Sequence, residues 1–222
     1  HFVHGSERLA AAPPATATAS ASATATAEAV VRSVVPSVYN DVVDASNKIV
    51  MTTMLKNEDA VVLQWLEYHR ALGVSRFVLY DNGGAESHLA STLAGQTDVT
   101  LIDWPYPKFE PRRCSSQITS HNHCLRAFAR AAYVGVFDVD EYVNPRADTD
   151  LLRLLSGYGP RVGGVVLKNR FMHNADSTET AGNSFLRMAR CDDFTPVGRT
   201  KVFCIPTNVA AFCIHEVLVG SP

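Results

Sequence analysis

Asp138 and Asp140 have the greatest capacity for chemistry in this chain: they stand either side of Val139, directly after the apolar run YVGVF (133–137). In extended backbone, side chains two apart point to the same side. Both carboxylates are therefore expected to project together from the end of a strand. Such oxygen donors suit hard divalent cations, Mn²⁺ or Mg²⁺, which often take one or two carboxylates and complete their shells with water and substrate phosphate. Glu141 follows at once. Three neighbouring carboxylates repel one another, and a cation among them is the expected remedy. A second Asp-x-Asp, Asp148 and Asp150, precedes the apolar run LLRLL. There, helix capping and first-turn charge account for the acids without a ligand.

The elements that position these groups follow from hydrophobic periodicity. KIVMTTM (48–54) reads as a buried strand. AVVLQWLEYHRAL (60–72) places Val61, Val62, Trp65, Leu66, His69 and Leu72 on one helical stripe, closed by Gly73. RFVLY (76–80) and DVTLI (98–102) read as strands, with a short helix over 87–93 between them. SSQITSHNHCLRAFARAA (115–132) carries helical spacing, and YVGVF is apolar on both faces, as a central parallel strand is. Strands alternating with helices predict an α/β fold with a mixed, mostly parallel central sheet flanked by helices. After Asp150 come a helix (150–158) and strand-like runs at 162–168, 200–206 and 208–214. In a parallel sheet, Lys56, Asn57 and Glu58 after the first strand, and Asp81 and Asn82 after the second, share an edge with Asp138. That edge is where open α/β sheets bind ligands.

The net charge of −2 offers no electrostatic footprint for nucleic acid or an anionic membrane. No apolar run approaches the length of a membrane span. Residues 1–47, rich in Ala, Thr and Ser, are expected to be a disordered or weakly structured leader, and 48–222 the folded domain. The five cysteines form no CxxC pair and read as free thiols, mostly buried. HNHC (121–124) raises the alternative of a zinc hydrolase, but residues two apart on a helix point apart and cannot share one ion. Trp104, Tyr106 and Phe109 lie in a Pro-rich loop, where aromatic rings stack on sugars or pack against their own domain.

Several phrases in order resemble glycosyltransferase family 92 and related GT-A enzymes, including members from large algal viruses. They are Lys56–Glu58, Glu67–His69, Tyr80–Asn82, Gln117 with Asn122, Cys124 and Leu125, Asp138–Tyr142, and a late His215, spread over about residues 49–215. The resemblance implies a GT-A fold, a nucleotide-diphosphate sugar donor (a UDP- or GDP-sugar), a glycan or glycoconjugate acceptor, Mn²⁺ or Mg²⁺, and inversion at the anomeric carbon. Carried over residue by residue, it puts Asp138 and Asp140 on the metal and diphosphate, with His215 completing the metal or phosphate shell. Glu58 and Asp81 would contact the nucleoside. Lys56, Asn57, Asn82, Gln117, Asn122 and Lys201 complete the donor-binding candidates, with Arg112 and Arg113 as further cations.

Inversion by direct displacement needs a carboxylate to take the acceptor's proton. The candidates are Asp176, Glu179, Asp192 and Asp193, the last two preferred. The chain ends seven residues after His215, where family members usually continue, so a truncated acceptor side is expected. Two further readings use the same edge: a metal-dependent nucleotide-sugar hydrolase or nucleotidyltransferase, and a non-catalytic nucleotide-sugar-binding module. The leader fits a stalk in the Golgi lumen or a tail in the cytoplasm.

Overall fold

Ile49–Leu55 (β1) is buried along its length except for half-buried Met54. A strand apolar on both faces belongs inside a covered sheet, and β1 has a parallel neighbour on each side. The computed structural model that places it describes residues 47–106, 115–145, 150–169, 172–174, 188–191, 200–213 and 215–220. The leader expected over 1–47 lies outside these residues but for its last one. After β1 come Asp59–Ala71 (α1), Arg76–Asp81 (β2), Leu89–Thr92 (α2), Val99–Asp103 (β3), Ser116–Ala127 (α3) and Tyr133–Val136 (β4). Then follow Leu151–Ser156 (α4), Gly164–Lys168 (β5), Met172–Asn174 (β6), Met188–Cys191 (β7), Thr200–Cys204 (β8), Val209–Phe212 (β9) and Val217–Val219 (β10).

The main sheet has six strands in the order β3-β2-β1-β4-β8-β5. β3, β2, β1 and β4 are mutually parallel; β8 runs antiparallel to both β4 and β5. The mixed, mostly parallel α/β sheet expected from the sequence is therefore present. β9 pairs with β10, and β6 with β7, in two small antiparallel sheets. β6 and β7 arise in a stretch that reads only as polar.

Helix α1 buries Val62, Trp65, Leu66 and His69, spaced as one face of a 3.6-residue period. It stops at Gly73, whose φ of +93° is accessible to glycine without strain. Ser115 opens α3 by accepting from the Ile118 N–H, and Asp150 opens α4 by accepting from Arg153 N–H, as its position predicts. α3 ends at Ala127, five residues before the periodicity does. Phe128 leaves the helix to bury its ring, and the turn that follows brings Ala132 N–H to the Lys48 carbonyl. Gly135 pairs with Phe203 across β4 and β8, and a Cβ there would stand 2.3 Å from the Phe203 ring. The two strands pack this closely because position 135 has no side chain. Cys124 and Cys204 are free and buried, and burial pushes both thiols up to about 12. Among the described residues no helix is long and apolar enough to cross a membrane.

Candidate functional site

The carboxyl ends of β1, β2, β3, β4 and β5 face one edge of the sheet, and antiparallel β8 begins there. That edge gathers Lys56–Glu58, Asp81–Asn82, Asp138–Glu141, Asn169 and Thr200–Lys201 from five separate parts of the chain. β1 is flanked by β2 on one side and β4 on the other, so connections leave it in opposite directions. A crevice opens at such a switch point in α/β sheets.

The acidic pair does not sit on extended backbone, as its sequence suggests. β4 ends at Val136. A tight turn follows, in which Glu141 N–H donates to the Asp138 carbonyl at 3.0 Å and Asp138 N–H donates to the Glu141 carboxylate at 3.0 Å. The two-residue alternation stops where the sheet ladder stops. Val139 is buried in the core, so the turn is anchored between its two aspartates. Asp138 is half-buried, and Asp140 is exposed with no hydrogen bond to another described residue.

The mutual repulsion of these acids is relieved from within. The Lys201 ammonium, on β8, is 3% exposed and lies 2.7 Å from Asp138 Oδ2 and 2.8 Å from Glu141 Oε2. Gln117 Nε2 donates to Asp138 Oδ1 at 3.3 Å, and Asn169 Nδ2 donates to Glu141 Oε1 at 3.0 Å. Burial alone would favour neutral lysine; Glu141 and Asp138 outweigh it and hold the ammonium above its ordinary range. Burial pushes the Glu141 carboxyl up, and Lys201 pulls it back only in part. Thus part of the charge balance expected from a bound cation is supplied by the chain. The one sequence signal for this is a lysine at the head of the apolar run VFC (202–204).

Helix α1 fixes the segment that leaves the turn. Trp65 Nε1 donates to the Glu141 carbonyl at 3.0 Å, and Tyr68 Oη donates to the Val143 carbonyl at 2.8 Å. His69 Nδ1 bonds the Trp65 carbonyl at 2.9 Å, which assigns its proton there and leaves Nε2 to accept from Val143 N–H at 3.3 Å. These three positioning side chains, of which the sequence marks only the buried stripe, hold the Glu141 carbonyl and both backbone groups of Val143.

Burial pushes His69 down to about 4, against the Trp65 carbonyl, which raises it. An imidazole that charges more readily unfolded than folded contributes stability that is full above pH 6.5 and lost as pH falls toward 4. The loss is about 1.4 kcal/mol per pH unit. Unfolding free energies measured between pH 7.5 and 5 are expected to fall at least this steeply below pH 6.5, buried His121 adding a like loss, before most carboxylates titrate. A flat profile would sink the assignment of a neutral, buried His69.

The remaining candidates fall into three groups. Lys56 and Asn57 are exposed, and Glu58 accepts from Lys56 N–H at 3.4 Å while staying half-buried at the same edge. Asp81 Oδ1 accepts from Gly83 N–H at 2.8 Å, as turn chemistry predicts. Asn82 and Asn122, expected on the donor, instead spend their amides on the backbone. Asn82 Nδ2 donates to the Trp104 and Tyr106 carbonyls, both at 2.6 Å. Asn122 exchanges two 2.8 Å hydrogen bonds with the backbone of Phe212 and so fastens β9 to α3. Asn122, with both ends of its amide so engaged, has little left for a ligand, and Asn82 has both N–H groups of its amide committed to the loop. Trp104 packs on Tyr80 and donates to the Ser116 carbonyl, so its ring serves its own domain. Asp192 and Asp193 lie outside the described residues, as do Asp176, Glu179, Arg112, Arg113 and Phe109.

His121 and His123 point apart on α3, which removes the zinc alternative's shared ion. His123 Nδ1 bonds the Tyr80 hydroxyl at 2.7 Å, whereas His121 is buried against Phe212 with neither ring nitrogen hydrogen-bonded. Burial pushes His121 down to about 3, Asp138 opposing and Lys201 adding to the effect.

The donor types at the turn fit a hard divalent cation. Asp140 offers an exposed carboxylate that no described residue engages, and Asp138 a side chain 45% exposed. His215, exposed at the same edge, bonds the Thr200 carbonyl through Nδ1 at 3.2 Å and leaves Nε2 as an acceptor. Metal-binding imidazoles are commonly oriented in this way. Among the described residues, no three histidine, cysteine, aspartate or glutamate side chains form a closed cluster. Two carboxylates of this kind would leave the other positions of a cation's shell to water and phosphate.

A family model described as glycosyltransferase family 92 matches residues 49–219. A glycosyltransferase family 92 protein of Oryza sativa subsp. japonica is 31% identical over 156 residues, covering 68% of this chain and 22% of the relative. One from Ricinus communis is 34% identical over 94 residues, covering 40% of this chain and 15% of the relative. One from Arabidopsis thaliana is 31% identical over 100 residues, covering 43% and 16%. The matched stretch is about a fifth or less of the length of each of these curated relatives.

Proposed function

This chain belongs to glycosyltransferase family 92, and we propose that it transfers a sugar from a nucleotide-diphosphate donor to a hydroxyl of a glycan or glycoconjugate. We further propose a UDP- or GDP-sugar as donor, Mn²⁺ or Mg²⁺ at Asp138 and Asp140, and inversion at the anomeric carbon. The observation that carries the reading is the convergence of Glu58, Asp81, Asp138, Asp140 and Lys201 on one sheet edge at a topological switch point.

In this reading the acceptor oxygen attacks the anomeric carbon as its bond to the diphosphate oxygen breaks, and the diphosphate leaves with the bonding pair. The metal supplies neutralisation of the charge that builds on the leaving group. Lys56, exposed at the exit of β1, adds a cation to the same oxygens. Glu58 and Asp81 accept hydrogen bonds from ribose hydroxyls and base N–H groups. Asp192 or Asp193 takes the acceptor's proton on the face opposite the diphosphate, which gives inversion.

A thermal-shift panel of UDP- and GDP-sugars, each with Mn²⁺ and with excess chelator, tests this. One donor is expected to raise the melting temperature only with metal; saturation at a hundred times Kd corresponds to about 2.7 kcal/mol. That donor should then be consumed only with an acceptor, giving a product of inverted configuration. No shift from any donor rejects the proposal, and free sugar released without an acceptor replaces it with hydrolysis.

A further inference from the structure

Asp138, Asp140 and Glu141 crowd one turn, and a single ammonium, that of Lys201, is sealed against two of them. We propose that Lys201 is a built-in counter-charge that weakens the hold of Asp138 and Asp140 on a bare divalent cation, so that firm cation binding waits for the donor's diphosphate. The inference rests on the reading of those two aspartates as the cation seat.

Lys201 is placed unlike a surface partner. Its side chain is 4% exposed, and it arrives on a strand paired on both sides, so it does not drift into solvent. Salt screens such a pair far less than an exposed one. Its contact is to Oδ2 of Asp138, an oxygen a cation would use, while Gln117 donates to Oδ1. Both oxygens of Asp138 are therefore accepting already, and Asp140 alone among the turn's acids is engaged by no described residue. A diphosphate brings its own negative oxygens, which restores the attraction that Lys201 removes. The two ligands then bind with mutual assistance, because each relieves a charge imbalance that the other meets alone.

The test is Mn²⁺ alone, titrated calorimetrically into wild type, Lys201→Met, Glu141→Gln and the Lys201→Met/Glu141→Gln double variant. Removing the ammonium is expected to tighten Mn²⁺ by at least about tenfold, as an unscreened unit charge within a few ångströms of the seat requires. The double variant, with its net charge restored, should return to within about threefold of wild type. Unchanged or weaker binding by Lys201→Met overturns the proposal. If that variant does not fold, Glu141→Gln decides: it keeps Lys201, loses a carboxylate and should bind Mn²⁺ more weakly, and an unchanged affinity overturns the proposal. Failure of every form to bind Mn²⁺, with or without UDP, removes the cation seat and takes the metal-dependent function with it. Wild-type binding that Lys201→Met leaves unaltered rejects the counter-charge alone.

Discussion

Asp140→Ala is expected to lower metal-dependent sugar transfer about a thousandfold while leaving the denaturation midpoint unchanged. Asp140 is exposed, makes no hydrogen bond to a described residue, and follows Val139, whose burial helps anchor the turn without it. A surface side chain of that kind contributes within about 0.5 kcal/mol to stability. Its proposed contribution to the reaction is larger. Holding the charge that stabilises a leaving diphosphate is worth several kcal/mol, and about 4 kcal/mol is a thousandfold in rate. Asp138→Ala should differ in kind. It leaves Lys201, buried and half-neutralised, with Glu141 as its one remaining carboxylate partner, so stability and transfer fall together. Transfer rates with and without chelator, set beside denaturant midpoints, separate the two. An Asp140→Ala enzyme with wild-type turnover would remove this residue from the chemistry.

His69→Ala is expected to cost about 3–5 kcal/mol of folding stability. The ring is fully buried between Trp65, Tyr68 and Tyr142, so its removal opens a cavity. It also strips the Val143 N–H of its acceptor and the Trp65 carbonyl of a donor. Tyr68→Phe removes a single hydroxyl contact with the Val143 carbonyl and should cost only about 1 kcal/mol. Chemical denaturation of the two variants side by side checks the ordering. Equal costs would mean that the hydrogen bonds to Val143, and not the packing of the His69 ring, hold the segment. His69→Ala should also loosen the acidic turn, since Trp65 reaches the Glu141 carbonyl one helical turn before it.

How far the residues announced this architecture differs by element. The stripe Val62, Trp65, Leu66 and His69 is buried because a 3.6-residue period admits one packing face, and that period is written locally. The wholly apolar runs of β1 and β4 are central strands for an equally local reason. Side-chain partnerships across long separations were not legible. Lys201 meets Asp138 across 63 residues, and Asn122 meets Phe212 across 90. Neither pairing leaves a periodic trace. The turn at Asp138 was hidden for another reason: apolar residues continue to Phe137, and only the hydrogen bonds of Glu141 end the extended backbone. The mutual repulsion of the acids was legible, but the lysine on β8 that relieves part of it was not.

β8 is the last strand of its sheet to be synthesised, yet its place is between two that precede it. Until residue 204 has left the ribosome and a further stretch of exit tunnel has been cleared, β4 and β5 each present a bare row of amides and carbonyls. Such rows are templates for mispairing. Closure then joins β4 and β8 partners 66 to 70 positions apart, a long-range step that is slow by nature. Nascent chains of this protein therefore pass through an interval in which the sheet is split and the acids at its rim lack their lysine. Whatever shelters emerging polypeptides has most to do there.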